Sequence, residues 1–177
     1  KWQIALRRYV LERNVCVDYA PYFGLDIEKM RQWFECQFPP GIGWDQFGEQ
    51  WQFEHVLPVT CFDFSKEEEL KMCWNFVNLR VEVLEEGAER VNRQDTLAAR
   101  RYFSRLYEQT GYGVCSLLLD KIRQLEATDE TPTHAQADFI QANQAHLEIL
   151  GGMGTYEFEQ VNRGRSLQEV QEEAAFL

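Results

Sequence analysis

Residues 51-WQFEHVLPVTCFDF-64 set two ionisable side chains, Glu54 and His55, next to one another inside an otherwise apolar, strand-like run. A core strand disfavours such a pair, because burying unpaired polar or charged groups costs several kcal/mol. The pair therefore either sits at a strand end facing solvent or performs chemistry. The aromatic residues around it, Trp51, Phe53, Phe62 and Phe64, with Trp74 and Phe76 further on, read as core.

The chain has 177 residues, enough for one sizeable domain with its own core. Its 45% hydrophobic and 14% aromatic content is that of a folded chain and excludes a disordered one. No run of about eighteen apolar residues occurs, so no membrane span is expected. The opening KWQIALRRYVLERN lacks the apolar stretch of a secretory signal. The cysteines (16, 36, 61, 73 and 115) are odd in number, widely spaced and form no CxxC, and read as reduced, mostly buried thiols. Cys36, His55, Cys61 and Cys73 offer zinc-type donors, but their spacing fits no finger or ribbon pattern.

The net charge of −11 argues against a simple nucleic-acid binder. The charge is uneven. Residues 125–177 hold two basic and ten acidic side chains, whereas residues 1–124 hold 16 and 19. The arginines of the front part bunch at 80, 90, 93, 100, 101 and 105.

Periodicity predicts helices over 3–13 and, capped by Asp26, to about Phe38, where Pro39-Pro40-Gly41 stops the chain. A strand follows over 51–57, ended by Pro58. Ser65 and Glu68 have the spacing of a capping box that opens a helix through about Asn75. Residues 78–86 alternate as a half-buried strand. Helices are expected at 91–109, 114–126, 132–150 and 166–176. These divisions give a domain over 1–110, a helical extension over 111–150, and a glycine-started tail or docking arm over 151–177.

The middle of the chain, from about Gly24 to Phe103, resembles the HNH, or ββα-metal, nuclease family. In 25-LDIEKMRQWFECQFPPGIGWDQFGEQWQFEHVLPVTCFDF-64 the resemblance lies in the helix, the G-x-x-W-x-x-[YF]-G turn and the W-x-x-D-H-x-x-P strand of small phage and bacterial HNH proteins. The stretch 69-ELKMCWNFVNLRVE-82 is similar to their CW-x-[YF]-x-N-L segment. The implied fold is α+β: a ββα-metal core of two short strands and a helix, with added N-terminal and C-terminal helices.

The resemblance implies metal-dependent cleavage of DNA phosphodiester bonds. His55 takes the position of the general base, and Glu54, where the family usually has Asp, that of a ligand to Mg²⁺ or Mn²⁺. Asn78 takes the position that orients the histidine and ties down the loop. The third motif position falls on Gly87, which has no side chain to coordinate with, so Glu86 or Glu89 is the expected stand-in. Arg80, Arg90, Arg93 and Arg100 are the expected phosphate contacts. The alternative is a degraded site on a protein used for structure or interaction, phage virion- or packaging-associated, whose acidic C-terminal third meets a protein partner. The expected location is the bacterial host cytoplasm or the virion.

Overall fold

The computed structural model describes residues 1–85, 95–129 and 131–176. They pack as two compact units, Lys1–Asp129 and Glu130–Leu177, where the sequence reading divided the chain near 110 and 150.

The first unit opens with α1 (Trp2–Leu11), which buries Ala5, Leu6, Tyr9 and Val10 along one stripe. A single-turn helix, α2 (Ala20–Phe23), ends at Gly24. Helix α3 (Ile27–Glu35) starts where the Asp26 carboxylate accepts from the Lys29 N–H, and buries Met30 and Phe34 one turn apart. Strand β1 (Trp51–His55) pairs antiparallel with β2 (Leu79–Val83) in the register Trp51↔Val83, Phe53↔Val81, His55↔Leu79. Helix α4 (Glu67–Trp74) lies between the strands in sequence. Helices α5 (Thr96–Thr110) and α6 (Gly113–Ala127) form a hairpin around Gly111, whose φ of 65° gives the left-handed turn.

One core unites these elements, with Phe34, Trp51, Trp74, Phe103, Leu118 and Ile122 almost wholly enclosed. Helix α3 closes the outer edge of β2: Trp33 Nε1 donates to the Leu79 carbonyl at 2.8 Å, and the Gln37 side-chain carbonyl accepts from the Val81 N–H at 3.0 Å. On that edge side chains take hydrogen bonds that a further strand would use. Cys61, Cys73 and Cys115 are buried free thiols, and Cys36 is an exposed one.

The second unit is helical: α7 (His134–Ala142), α8 (Gln144–Gly151), α9 (Thr155–Asn162) and α10 (Leu167–Ala175). Ser166 and Glu169 form a reciprocal capping box at the start of α10. No helix among the described residues is long and apolar enough to cross a membrane.

The expected α+β, ββα-metal core is not what this chain builds. Helices dominate the described residues, whose sheet is the β1–β2 pair. The helix that follows β2 packs chiefly along α6. Three local expectations also change. Ser65 does not cap α4: its N–H and hydroxyl both bond to Asp63 Oδ1, and the helix starts at Glu67 without a side-chain cap. Phe64 is exposed. The helix expected over 132–150 breaks at Asn143, whose side-chain amide bonds back to the Phe139 carbonyl, while α9 forms in the segment read as a tail.

Gly24 has φ +74°, and a Cβ built there would stand 2.9 Å from Asn75 Nδ2. Gly24→Ala should therefore lower the stability of the first unit by about 1–2 kcal/mol. Urea unfolding followed by tryptophan fluorescence checks this, and an unchanged midpoint would contradict it.

Candidate functional site

Side chains on a strand point alternately to opposite faces, so Glu54 and His55 part company. Trp51, Phe53 and His55 share one face of β1, and Gln52 and Glu54 share the other. On the second face the Glu54 carboxylate accepts from Arg80 Nε at 2.6 Å, across the strand pair. Beside it, Gln52 donates to Glu82 at 2.7 Å. The Arg80 guanidinium lies 5.9 Å from the Tyr102 ring centre on α5. Both members of the ion pair are about one-third exposed, so it contributes on the order of 1 kcal/mol or less to stability. Its chemical effect is larger: the cation that faces Glu54 is a guanidinium.

His55 turns the other way. Its ring meets Trp74 edge to face, with centroids 4.6 Å apart and planes at 87°. The ring helps wall a cleft of about 370 Å³ that Gln3 and Arg7 of α1, Phe47, Phe53 and Trp74 also line. His55 Nε2 and Trp74 Nε1 are enclosed and have no hydrogen-bond partner among the described residues. Burial holds the His55 pKa down, from 6.5 to about 4. The imidazole is thus neutral at pH 7 and a weak base there, since proton abstraction is best served by a pKa near the working pH.

Asn78, wholly buried just before β2, bonds elsewhere. Its Oδ1 accepts from the Leu57 N–H at 2.8 Å, and its Nδ2 donates to the carbonyls of Leu57 at 3.1 Å and Cys73 at 3.0 Å. It braces the segment after β1 against the end of α4, and His55 is not among these partners. Arg100 is paired with Glu126 of α6. Glu86, Gly87, Glu89, Arg90 and Arg93 lie outside the described residues.

The described donors do not fit a divalent metal. Among the described residues no group of three or more His, Cys, Asp or Glu side chains is placed to hold one, the four cysteine and histidine donors named above included. Glu54 is engaged by a cation of the chain itself.

Sequence reasoning assigned Arg80 to phosphate and missed it as the partner of Glu54. The signal was present in the two alternating stretches, but the register that sets residue 54 opposite 80 depends on a long intervening segment. Arg7 and Trp74, which wall the His55 cleft, were not selected. A second missed pair is Lys121 with Glu69, at 2.9 Å and nearly buried, which ties α6 to α4.

No protein-family model matches the chain, and no solved structure matches it. Uncharacterized protein L426 of Acanthamoeba polyphaga mimivirus is 42% identical over 59 residues, 33% of this chain and 26% of that protein. Uncharacterized protein L246 of the same virus is 35% identical over 57 residues, 32% of this chain and 25% of that protein. The chain thus spans about a quarter of the length of these two relatives. Their names state no activity, and the similarity brings none to this chain.

Two measurements test the site. Between pH 6.5 and 4 the unfolded chain binds a proton at His55 that the folded chain does not. Stability from this group is complete above pH 6.5 and falls as the pH drops toward 4, by at most about 3 kcal/mol. Urea unfolding across that window should show a shallower pH slope for His55→Leu than for the parent, and equal slopes would refute the assignment. Asn78→Leu leaves the Leu57 N–H and two carbonyls without their partner, and should cost at least about 2 kcal/mol in the same assay.

Proposed function

We propose that this chain is a non-catalytic interaction protein of viral type, in which Glu54 and His55 serve packing and not phosphodiester hydrolysis. The observation that carries this reading is the 2.6 Å bond from Arg80 to Glu54. The carboxylate that would hold Mg²⁺ or Mn²⁺ already faces a guanidinium, which a hard divalent ion would have to displace.

Further support comes from the imidazole. It lies on the opposite face of the strand from that carboxylate, neutral and perpendicular to the Trp74 indole. Of the arginines expected on phosphates, Arg80 and Arg100 are both engaged by carboxylates of the chain. The net charge of −11 favours a protein partner over DNA. The two mimivirus relatives support a place among viral proteins, and a virion-associated or packaging-associated role fits it.

The test is plasmid nicking. Purified protein, incubated with supercoiled DNA and Mg²⁺ or Mn²⁺, should leave the plasmid intact, and calorimetry should register no Mn²⁺ binding. Metal-dependent nicking that disappears in His55→Ala would overturn the proposal and restore the nuclease.

A further inference from the structure

The second unit buries too little to be explained by itself. In its described helices Val170 is the one apolar side chain that is fully enclosed. Phe139, Ile140, Leu147, Tyr156, Phe158 and Phe176 are all exposed, the last at 91%. A four-helix unit normally closes its apolar faces on one another. Here α7 pairs with α8 and α9 pairs with α10, and the two pairs make few contacts with each other. Between α8 and the α9–α10 pair lies a cleft of about 620 Å³, lined by the apolar Ile149, Met153, Val170 and Ala174 together with Gln171 and the carboxylates Glu148 and Glu157. A cleft of that size holds the apolar anchors of one helix face.

Charge decides what enters it. Residues 131–176 contain seven acidic and two basic side chains. Both basic ones are paired inside the unit: Arg163 with Glu159 at 2.5 Å and Arg165 with Glu173 at 2.5 Å. The carboxylates that line the cleft, Glu148 and Glu157, make no ion pair with the described residues. A second copy of this unit would bring the same surplus of negative charge to the contact, and like charges across an interface are penalised. A lining of apolar side chains and carboxylates suits an amphipathic helix that is basic beside its apolar stripe.

From this we infer that the cleft between α8 and the α9–α10 pair is the docking site for a basic amphipathic helix of a partner protein. The inference rests on the interaction reading above and gives it a surface and a partner chemistry.

The probe is a fluorescein-labelled helical peptide of about 18 residues, with leucines at i, i+3, i+4 and i+7 and lysines and arginines beside them. A twin carries the same leucines with glutamates in place of the basic residues. Anisotropy titrations against the full chain should show binding of the basic peptide and none of the acidic twin. Glu148→Lys combined with Glu157→Lys should weaken binding at least about tenfold, and Met153→Asp similarly, whereas Glu172→Lys, which is off the cleft, should change it less than about twofold. Circular dichroism verifies that each variant keeps its helices.

Any of four results would overturn the inference: no binding of either peptide, equal binding of the acidic twin, loss on Glu172→Lys as large as on the double change, or sedimentation showing self-association through the cleft that Met153→Asp abolishes. With nicking still absent, such a result removes the docking site and leaves the non-catalytic reading standing. Metal-dependent nicking removes that reading instead.

Discussion

The first unit depends on a buried carboxamide. Asn78 satisfies three backbone groups that have left regular structure: both polar groups of Leu57, just past β1, and the carbonyl of Cys73 near the end of α4. Each would otherwise be buried without a partner, at a cost of about 1–3 kcal/mol apiece. The neighbouring asparagine extends the node. Asn75 caps the turn through the Val77 N–H, donates to the Tyr112 hydroxyl at the start of α6, and stands where Gly24 leaves it room. The strand pair, the α4 terminus, the end of α2 and the α5–α6 hairpin thus meet at four residues, 75–78.

Once the strand pair is held there, the period of a β-strand governs what Glu54 and His55 can do. Two adjacent residues in extended backbone look in opposite directions. One found a guanidinium across the ladder, and the other an indole ring inside the fold. Each satisfies a local demand, the first electrostatic and the second steric, and neither leaves its partner free for a shared reaction centre. Among the described residues His55 also has an enclosed nitrogen without a hydrogen-bond partner, as does Trp74 beside it. Their cleft is therefore polar in its lining groups and incompletely satisfied, the kind of place where a protein tolerates a cost.

Much of the first unit was legible in the sequence. The apolar spacing of Met30 and Phe34, the cap at Asp26 and the alternation of Trp51, Phe53 and His55 all sit where periodicity puts them. Those signals are local, and local signals are what a sequence carries most directly. The register between β1 and β2 was not legible, because it is fixed by packing across a connection that contains a helix of its own. Arg80 was therefore matched to phosphate and not to Glu54. The capping box at Ser65 failed for another local reason. Asp63, two residues earlier, competes for the same hydroxyl and wins at 2.6 Å. In the second unit helices were legible at 132–150 and 166–176, but the closure of their faces was not, since faces left open give no pattern that differs from faces that pack. The expectation of a ββα-metal core went astray for a related reason. A motif string records which residues follow one another, whereas α5 is also held by long-range packing, along α6 and beside Arg80 of β2.

The thiols add a kinetic consequence. Burial pushes the Cys73 thiol up to about 12, with Cys61 nearby adding to the effect, and it also raises Cys61 and Cys115. A thiol in that condition presents almost no thiolate to an oxidant or alkylating agent. These three sulfurs react only when the core opens around them, so their modification rates measure that opening and not the chemistry of the reagent. Cys36, exposed at the end of α3, responds at once. One chain thus carries an immediate and a delayed response to oxidation, separated by the unfolding equilibrium of its own core.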